Sequence, residues 1–158
     1  AACMAAAEDR GVKVIIITSQ TDIQLSSTKL VIHPADKVYE NDASNNSSLV
    51  TEVFHGNNSL LFTGDIEKER IADIKYELND AGYDFLKVPH HGRYEKILPE
   101  FFSLVGAQSA VITSSEKNPE DQETVQALVD AGTMNYMLTR GGEITLESDG
   151  RELNFAQK

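Results

Sequence analysis

The chain has 158 residues, enough for one globular domain with a sizeable core. Hydrophobic residues make up 41% and charged residues 25%, the balance of a folded, soluble protein, and no apolar run approaches the roughly 18 residues of a membrane span. A formal net charge of −11 argues against a general nucleic-acid-binding module, though bound divalent metals would invert the field inside a pocket.

Ala1 to Arg10 is Ala-rich and reads as the end of a helix, with Gly11 where a helix stop belongs. A helix opening at residue 1 with no cap before it is what a chain beginning inside an element would look like. Cys3, the one cysteine, permits no internal disulfide and no cysteine-rich metal site. The β-branched run Val12 to Ile17 predicts a strand. Asp22 to Leu25 and Lys29 to His33 are two extended segments separated by Ser26-Ser27-Thr28, and Pro34 ends the second. Tyr39 to Ser47 is a loop rich in Asn, Ser and Asp.

Ser48 to Phe54 and Ser59 to Thr63, joined by His55-Gly56-Asn57-Asn58, have the spacing of a hairpin. Ile71, Ile74 and Leu78 recur at helical spacing within Glu67 to Ala81, and Gly82 is a stop. Asp84 to Val88 is a short strand, Pro99 to Val105 a helix, and Ser109 to Thr113 a strand. Glu120 to Ala131 is an amphipathic helix expected to turn Val125, Leu128 and Val129 inward. Met134 to Leu138, Glu143 to Glu147 and Glu152 to Phe155 read as closing strands, with turns at Gly141-Gly142 and Asp149-Gly150. The class is α/β or α+β with a mixed sheet, and residues 1–158 read as a single domain.

Two polar clusters follow buried strands, which is where layered α/β proteins gather ligands. One is Thr63-Gly64-Asp65; the other is Pro89-His90-His91-Gly92. Carboxylates and neutral imidazoles are ligands for zinc, manganese or iron. By spacing alone neither cluster is specific: Gly-Asp before a helix is also a turn or a helix cap, and paired histidines in a loop are often structural. His33 and His55 stand alone and read as structural, and Lys87 inside its strand reads as snorkelling or paired.

The strings SLVTEVFHGNNSLLFTGD, DFLKVPHHGRYEKILPEFF and SAVITSSEKNPEDQETVQALVDAG, in that order, resemble metallo-β-lactamase-fold proteins. The nearest group is the extracellular hydrolase domain of ComEC-type competence proteins, and the similarity runs from about Ala7 to Gly150. The resemblance implies the C-terminal portion of an αββα sandwich and a metal-dependent bacterial hydrolase acting on a phosphodiester or other ester. It implies that Asp65 bridges two divalent metals, zinc or manganese, and that His90 is a terminal ligand, with His91 as the substitute. The family's HxHxDH signature, which supplies most ligands, is absent from this sequence, whose only histidines are His33, His55, His90 and His91. The expectation is therefore a partial domain, metal-free and inactive by itself, whose partner is the N-terminal part of the same domain. Exposed apolar edges would then favour self-association, and a cell-surface or secreted location depends on an upstream signal.

Asn46 and Ser48, in a stretch one residue longer than the family's Asn-Ser-Leu-Val pattern, are candidate groups lining the site. Arg93 and Tyr94 replace the family's Ser-rich loop after HHG; they suit contact with a substrate phosphate, or equally an exposed loop. Lys117-Asn118-Pro119 falls in a loop that borders the pocket in such relatives. The rival class is a metal-free binding or scaffold domain of the same fold.

Overall fold

The computed structural model describes residues 2–158; Ala1, at the start of the expected first helix, lies outside them. The elements in chain order are α1 (Ala2–Asp9), β1 (Thr21–Leu25), β2 (Thr28–His33), α2 (Ala43–Asn46), β3 (Val50–His55), β4 (Asn58–Phe62), α3 (Lys68–Ile74), β5 (Phe85–Lys87), α4 (Leu98–Val105), β6 (Ser109–Ile112), α5 (Gln122–Asp130), β7 (Asn135–Leu138), β8 (Ile144–Ser148) and β9 (Leu153–Gln157). β1 to β7 form one sheet in sequence order, antiparallel from β1 to β4 and parallel from β4 to β7. β8 and β9 form a separate antiparallel pair. The mixed α/β sheet is the one the sequence leads one to expect.

The period-2 alternation of the central strands divides the interior into two cores. Leu61, Leu86, Ala110 and Ile112 face one side, where Ile71 and Ile74 of α3, Phe101 and Phe102 of α4 and Leu128 of α5 cover them. Leu60, Phe85 and Val111 face the other side and meet Ile144, Leu146, Leu153 and Phe155 of the β8–β9 pair. A chain that buries both faces of β4, β5 and β6 reads there as short apolar runs, Leu60-Leu61-Phe62, Phe85-Leu86 and Ala110-Val111-Ile112, rather than as strict alternation.

Three expectations fail, in whole or in part. Val12 to Ile17 is not a strand: the segment is irregular, pairs with no strand of the sheet, and leaves Val12, Ile15 and Ile16 exposed. The helix expected over Glu67 to Ala81 stops at Ile74 and continues as turns. In α5 Leu128 is buried and Val125 packs against the core as expected, joined by Thr124 and Ala127, but Val129 points to solvent. The expected loop Tyr39 to Ser47 also contains the short turn of helix α2.

The β3–β4 turn needs Gly56. Its φ is +59°, and a side chain there would run into the Gly150 carbonyl, which accepts a hydrogen bond from the Asn57 amide.

Candidate metal centre

Parallel pairing brings the C-terminal tips of β4 and β5 to one edge: Phe62 lies opposite Lys87. Beyond that pair, Thr63 Oγ1 donates to the Lys87 carbonyl at 2.7 Å. Gly64 then turns the chain at φ +59°, pressed so close to Ser48 that a Cβ would stand 2.7 Å from the Ser48 Cβ. The Asp65 amide donates to Ser48 Oγ at 3.2 Å. Lys87 reaches across with its ammonium, donating to the Gly64 carbonyl at 2.7 Å and to Asp65 Oδ1 at 3.2 Å.

After β5, Val88 and Pro89 lead into a left-handed turn in which His90, His91 and Gly92 have φ of 44°, 54° and 79°. Consecutive non-glycine residues in this region carry strain and persist only where the surroundings fix them. Here the His90 amide donates to the Gly64 carbonyl, the Asp121 amide to the Gly92 carbonyl at 3.0 Å, and the Tyr94 amide to Asp121 Oδ2 at 2.8 Å. The turn is thereby tied to β4 on one side and to the start of α5 on the other.

This conformation decides which imidazole meets Asp65. His91 Nδ1 lies 2.8 Å from the Thr113 carbonyl and 3.0 Å from Thr113 Oγ1. A carbonyl accepts only, so Nδ1 carries the proton, and Nε2 of the neutral ring presents its lone pair to Asp65 Oδ2 at 3.4 Å. Two acceptors face each other across that gap, an arrangement that calls for a cation or a second proton between them. Donors about 2.0–2.1 Å from a tetrahedral metal stand roughly 3.3–3.4 Å apart, which is the spacing found. Burial pushes the Asp65 carboxyl up, but the charge and hydrogen bond of Lys87, with His91 and His90 adding to them, hold it below its ordinary value. Burial pulls the Lys87 ammonium down, and Asp65 offsets only part of this.

His90 faces elsewhere. Its Nε2 is 3.4 Å from Asn45 Nδ2, and its Nδ1 is 3.1 Å from Glu67 Oε1 at an angle that makes no hydrogen bond. Burial raises the Glu67 carboxyl, Asn45 works against the rise through a 2.6 Å hydrogen bond, and neighbouring Asp42 reinforces it.

Of the residues singled out from sequence, Asp65 and His91 come together, and Ser48 supports the Asp65 turn. Asn46 is buried and points away from the gap: its Oδ1 accepts from the Glu67 and Arg70 amides at 2.9 and 3.4 Å, capping the first turn of α3. Arg93 Nη1 lies 3.5 Å from Asp121 Oδ1, and Tyr94 is partly exposed. Glu67, Asn45 and Thr113 were not singled out; Glu67 is two residues beyond Asp65, but nothing in the spacing tells a carboxylate beside His90 from an exposed helix start. His33 and His55 lie in hydrogen bonds to Glu52 and Ser148, away from these tips. Asp65 and His91 fit a divalent metal in kind and spacing but not in number, because no group of three or more His, Cys, Asp or Glu side chains converges among the described residues.

The chain is mixed α/β, with a seven-stranded mixed sheet covered by helices on one face, a fold like that of a solved metallo hydrolase. The chain is 34% identical over 76 residues to ComE operon protein 3 of Bacillus subtilis (strain 168), a stretch covering 48% of this chain and 10% of that protein. It also resembles the solved structure of Igni18, a novel metallo hydrolase from the hyperthermophilic archaeon Ignicoccus hospitalis KIN4/I, with a TM-score of 0.55 at 13% identity. That match covers 99% of this chain and 66% of Igni18, so the chain spans less than two thirds of either protein. No family model matches.

Proposed function

We propose that this chain contributes Asp65 and His91 to the centre of a metal-dependent hydrolase that cleaves a phosphodiester or another ester. The observation that carries the reading is the 3.4 Å gap between Asp65 Oδ2 and His91 Nε2, two acceptors aimed at each other from neighbouring parallel strands. A bound zinc or manganese ion would supply a water of lowered pKa as nucleophile. The chain's own part is positional. Lys87 fixes the Asp65 carboxylate, and the Thr113 carbonyl sets the tautomer and direction of the His91 ring.

Two donors are fewer than the four a tetrahedral ion takes. The remaining donors come from other residues of the gene product, and the chain alone turns nothing over. The second reading, a metal-free binding or scaffold domain, draws its support from the missing third donor among the described residues.

The test compares the gene's full product, this chain alone and the full product carrying Asp65→Asn. Metal content and hydrolysis of bis(p-nitrophenyl) phosphate are measured for each. The hydrolase reading expects metal and turnover in the full product only, with Asp65→Asn costing on the order of 100-fold or more. Turnover that survives both chelation and Asp65→Asn would end that reading. A full product that binds no metal would leave the scaffold.

A further inference from the structure

Behind the turn of residues 90–92 stands a carboxylate. A Cβ placed on Gly92 would come within 2.9 Å of the Glu120 Cβ, and the neighbouring Asp121 amide donates to the Gly92 carbonyl at 3.0 Å. The Glu120 side chain is 1% exposed, its Oε1 lies 3.1 Å from Arg140 Nη2, and its Oε2 meets no protein donor among the described residues. An unpaired buried carboxylate is costly, so where Glu120 sits depends on Arg140.

Arg140 belongs to the single turn Thr139–Gly141 at the tip of β7, and this turn holds both supports of His91. Thr139 Oγ1 donates to the Ser114 carbonyl at 2.7 Å, fixing the backbone next to Thr113, whose own carbonyl faces His91 Nδ1. Arg140 fixes Glu120, against which Gly92 packs. Parallel pairing of β6 with β7, Ile112 opposite Leu138, sets the two tips side by side. An apolar residue would back Gly92 as well, and a buried ion pair adds little net stability over apolar packing. A gain in stability therefore does not account for the pair.

We propose that Glu120 and Arg140 are positioning residues of the candidate centre: through Gly92 they hold the His91 ring in its Nδ1–H tautomer, with Nε2 toward Asp65. The metal that this lone pair would serve comes from the hydrolase reading, on which the inference rests; the clamp itself is a property of the chain. The Thr113 carbonyl selects the tautomer only while the ring stays beneath it, and the turn decides that. With the clamp released, the turn relaxes from the strained positive φ of His90 and His91, and the ring leaves the carbonyl.

The test is long-range ¹H–¹⁵N NMR of the histidine rings in the chain, at mildly alkaline pH where the rings are neutral. A hydrogen bond of ordinary strength favours the Nδ1–H form of His91 roughly five- to tenfold. Glu120→Met keeps a long side chain against Gly92 and buries no charge, so the fold should survive it. In that variant His91 should become an even mixture of tautomers, while the rings of His33 and His55, held by Glu52 and Ser148, keep their native patterns. Arg140→Met, at a partly exposed residue, should act in the same direction, with Arg140→Lys between it and the native chain because it keeps the charge and loses the fork. A native His91 pattern in Glu120→Met or in Arg140→Met, or an Arg140→Lys no nearer native than Arg140→Met, would overturn the proposal. If Glu120→Met also loses the His33 and His55 patterns it has unfolded, and the two Arg140 variants decide by the same criterion. Metal content of the gene's full product reports on the hydrolase reading separately. A full product without metal, alongside a His91 pattern that responds to these variants, ends that reading and leaves the clamp; the converse removes the clamp alone.

Discussion

Replacing Gly92 with alanine attacks the candidate centre through the backbone alone. At φ +79° an L-residue pays about 1–2 kcal/mol for the left-handed region. The added Cβ would also stand 2.6 Å from Ile112 Cγ2 and 2.9 Å from Glu120 Cβ, both buried, so something must shift. Overpacking of this kind costs a further 1–3 kcal/mol, roughly, for a total of about 2–5 kcal/mol. Gly132 is the control. Its φ is +91°, but nothing lies within 4 Å of its Cβ position, so Gly132→Ala carries only the conformational part, about 1–2 kcal/mol. Urea unfolding of both variants, compared at equal slope, isolates the steric part. If Gly92→Ala loses no more stability than Gly132→Ala, the turn does not press on β6 and α5 as described, and the account of how His91 is held fails with it.

Other consequences are checked the same way. Glu52 is buried and accepts from Tyr83, the Asn79 amide and His33, so His33→Ala should cost about 3–5 kcal/mol by thermal or urea unfolding. Burial pushes the Glu52 carboxyl up, but those hydrogen bonds prevail and its pKa falls below the ordinary 4.5. Its contribution is therefore fully present above about pH 4.5 and is lost as the pH drops through the depressed folded value; a stability curve flat across that acid range would contradict this. Asn46→Ala should lose about 1–2 kcal/mol as a helix cap, measured by urea unfolding, and an unchanged stability would show that the Asn46 bonds to the Glu67 and Arg70 amides do not hold the start of α3. His90→Gly should change stability by less than about 1 kcal/mol, because relief at φ 44° is offset by the lost Nε2 contact with Asn45 and the looser unfolded chain; a larger loss in urea unfolding would show that the ring is structural.

What sequence reveals of this fold follows from how local the deciding forces are. Strands β4, β5 and β6 are legible because each buries both faces and carries a short apolar run (Leu60-Leu61-Phe62, Phe85-Leu86 and Ala110-Val111-Ile112), and the β3–β4 turn because Gly56 meets a backbone demand within its own hairpin. Val12 to Ile17 shows the converse. Its β-branched composition fits a strand, but composition does not supply a pairing partner, and the segment takes none in the assembled sheet. In α5 Val125 and Leu128 pack inward as their spacing suggests, whereas Val129 points to solvent and the small Thr124 and Ala127 complete the buried face.

The centre divides along the same line. Asp65 stands at a strand tip because a glycine and a carboxylate after an apolar strand put the carboxylate there wherever the chain goes next; that it would hold a metal is what the resemblance, not the spacing, implies. The histidine pair was not legible, because position along the chain favours His90, the first residue beyond Pro89, whereas orientation is set by backbone sign. In a right-handed or extended continuation successive side chains would diverge in the usual way, and the ring nearer the strand would be the natural partner of Asp65. With both residues at positive φ the chain doubles back, His90 is carried toward Glu67, and His91 is brought under the Thr113 carbonyl with Nε2 toward Asp65. The turn that sets this direction is tied to Gly64 and Asp121 by backbone hydrogen bonds, and its Gly92 lies against Ile112 and Glu120, residues twenty or more positions along the chain. Partners so distant orient two identical side chains differently, and this is information that no spacing rule within the HHG motif contains.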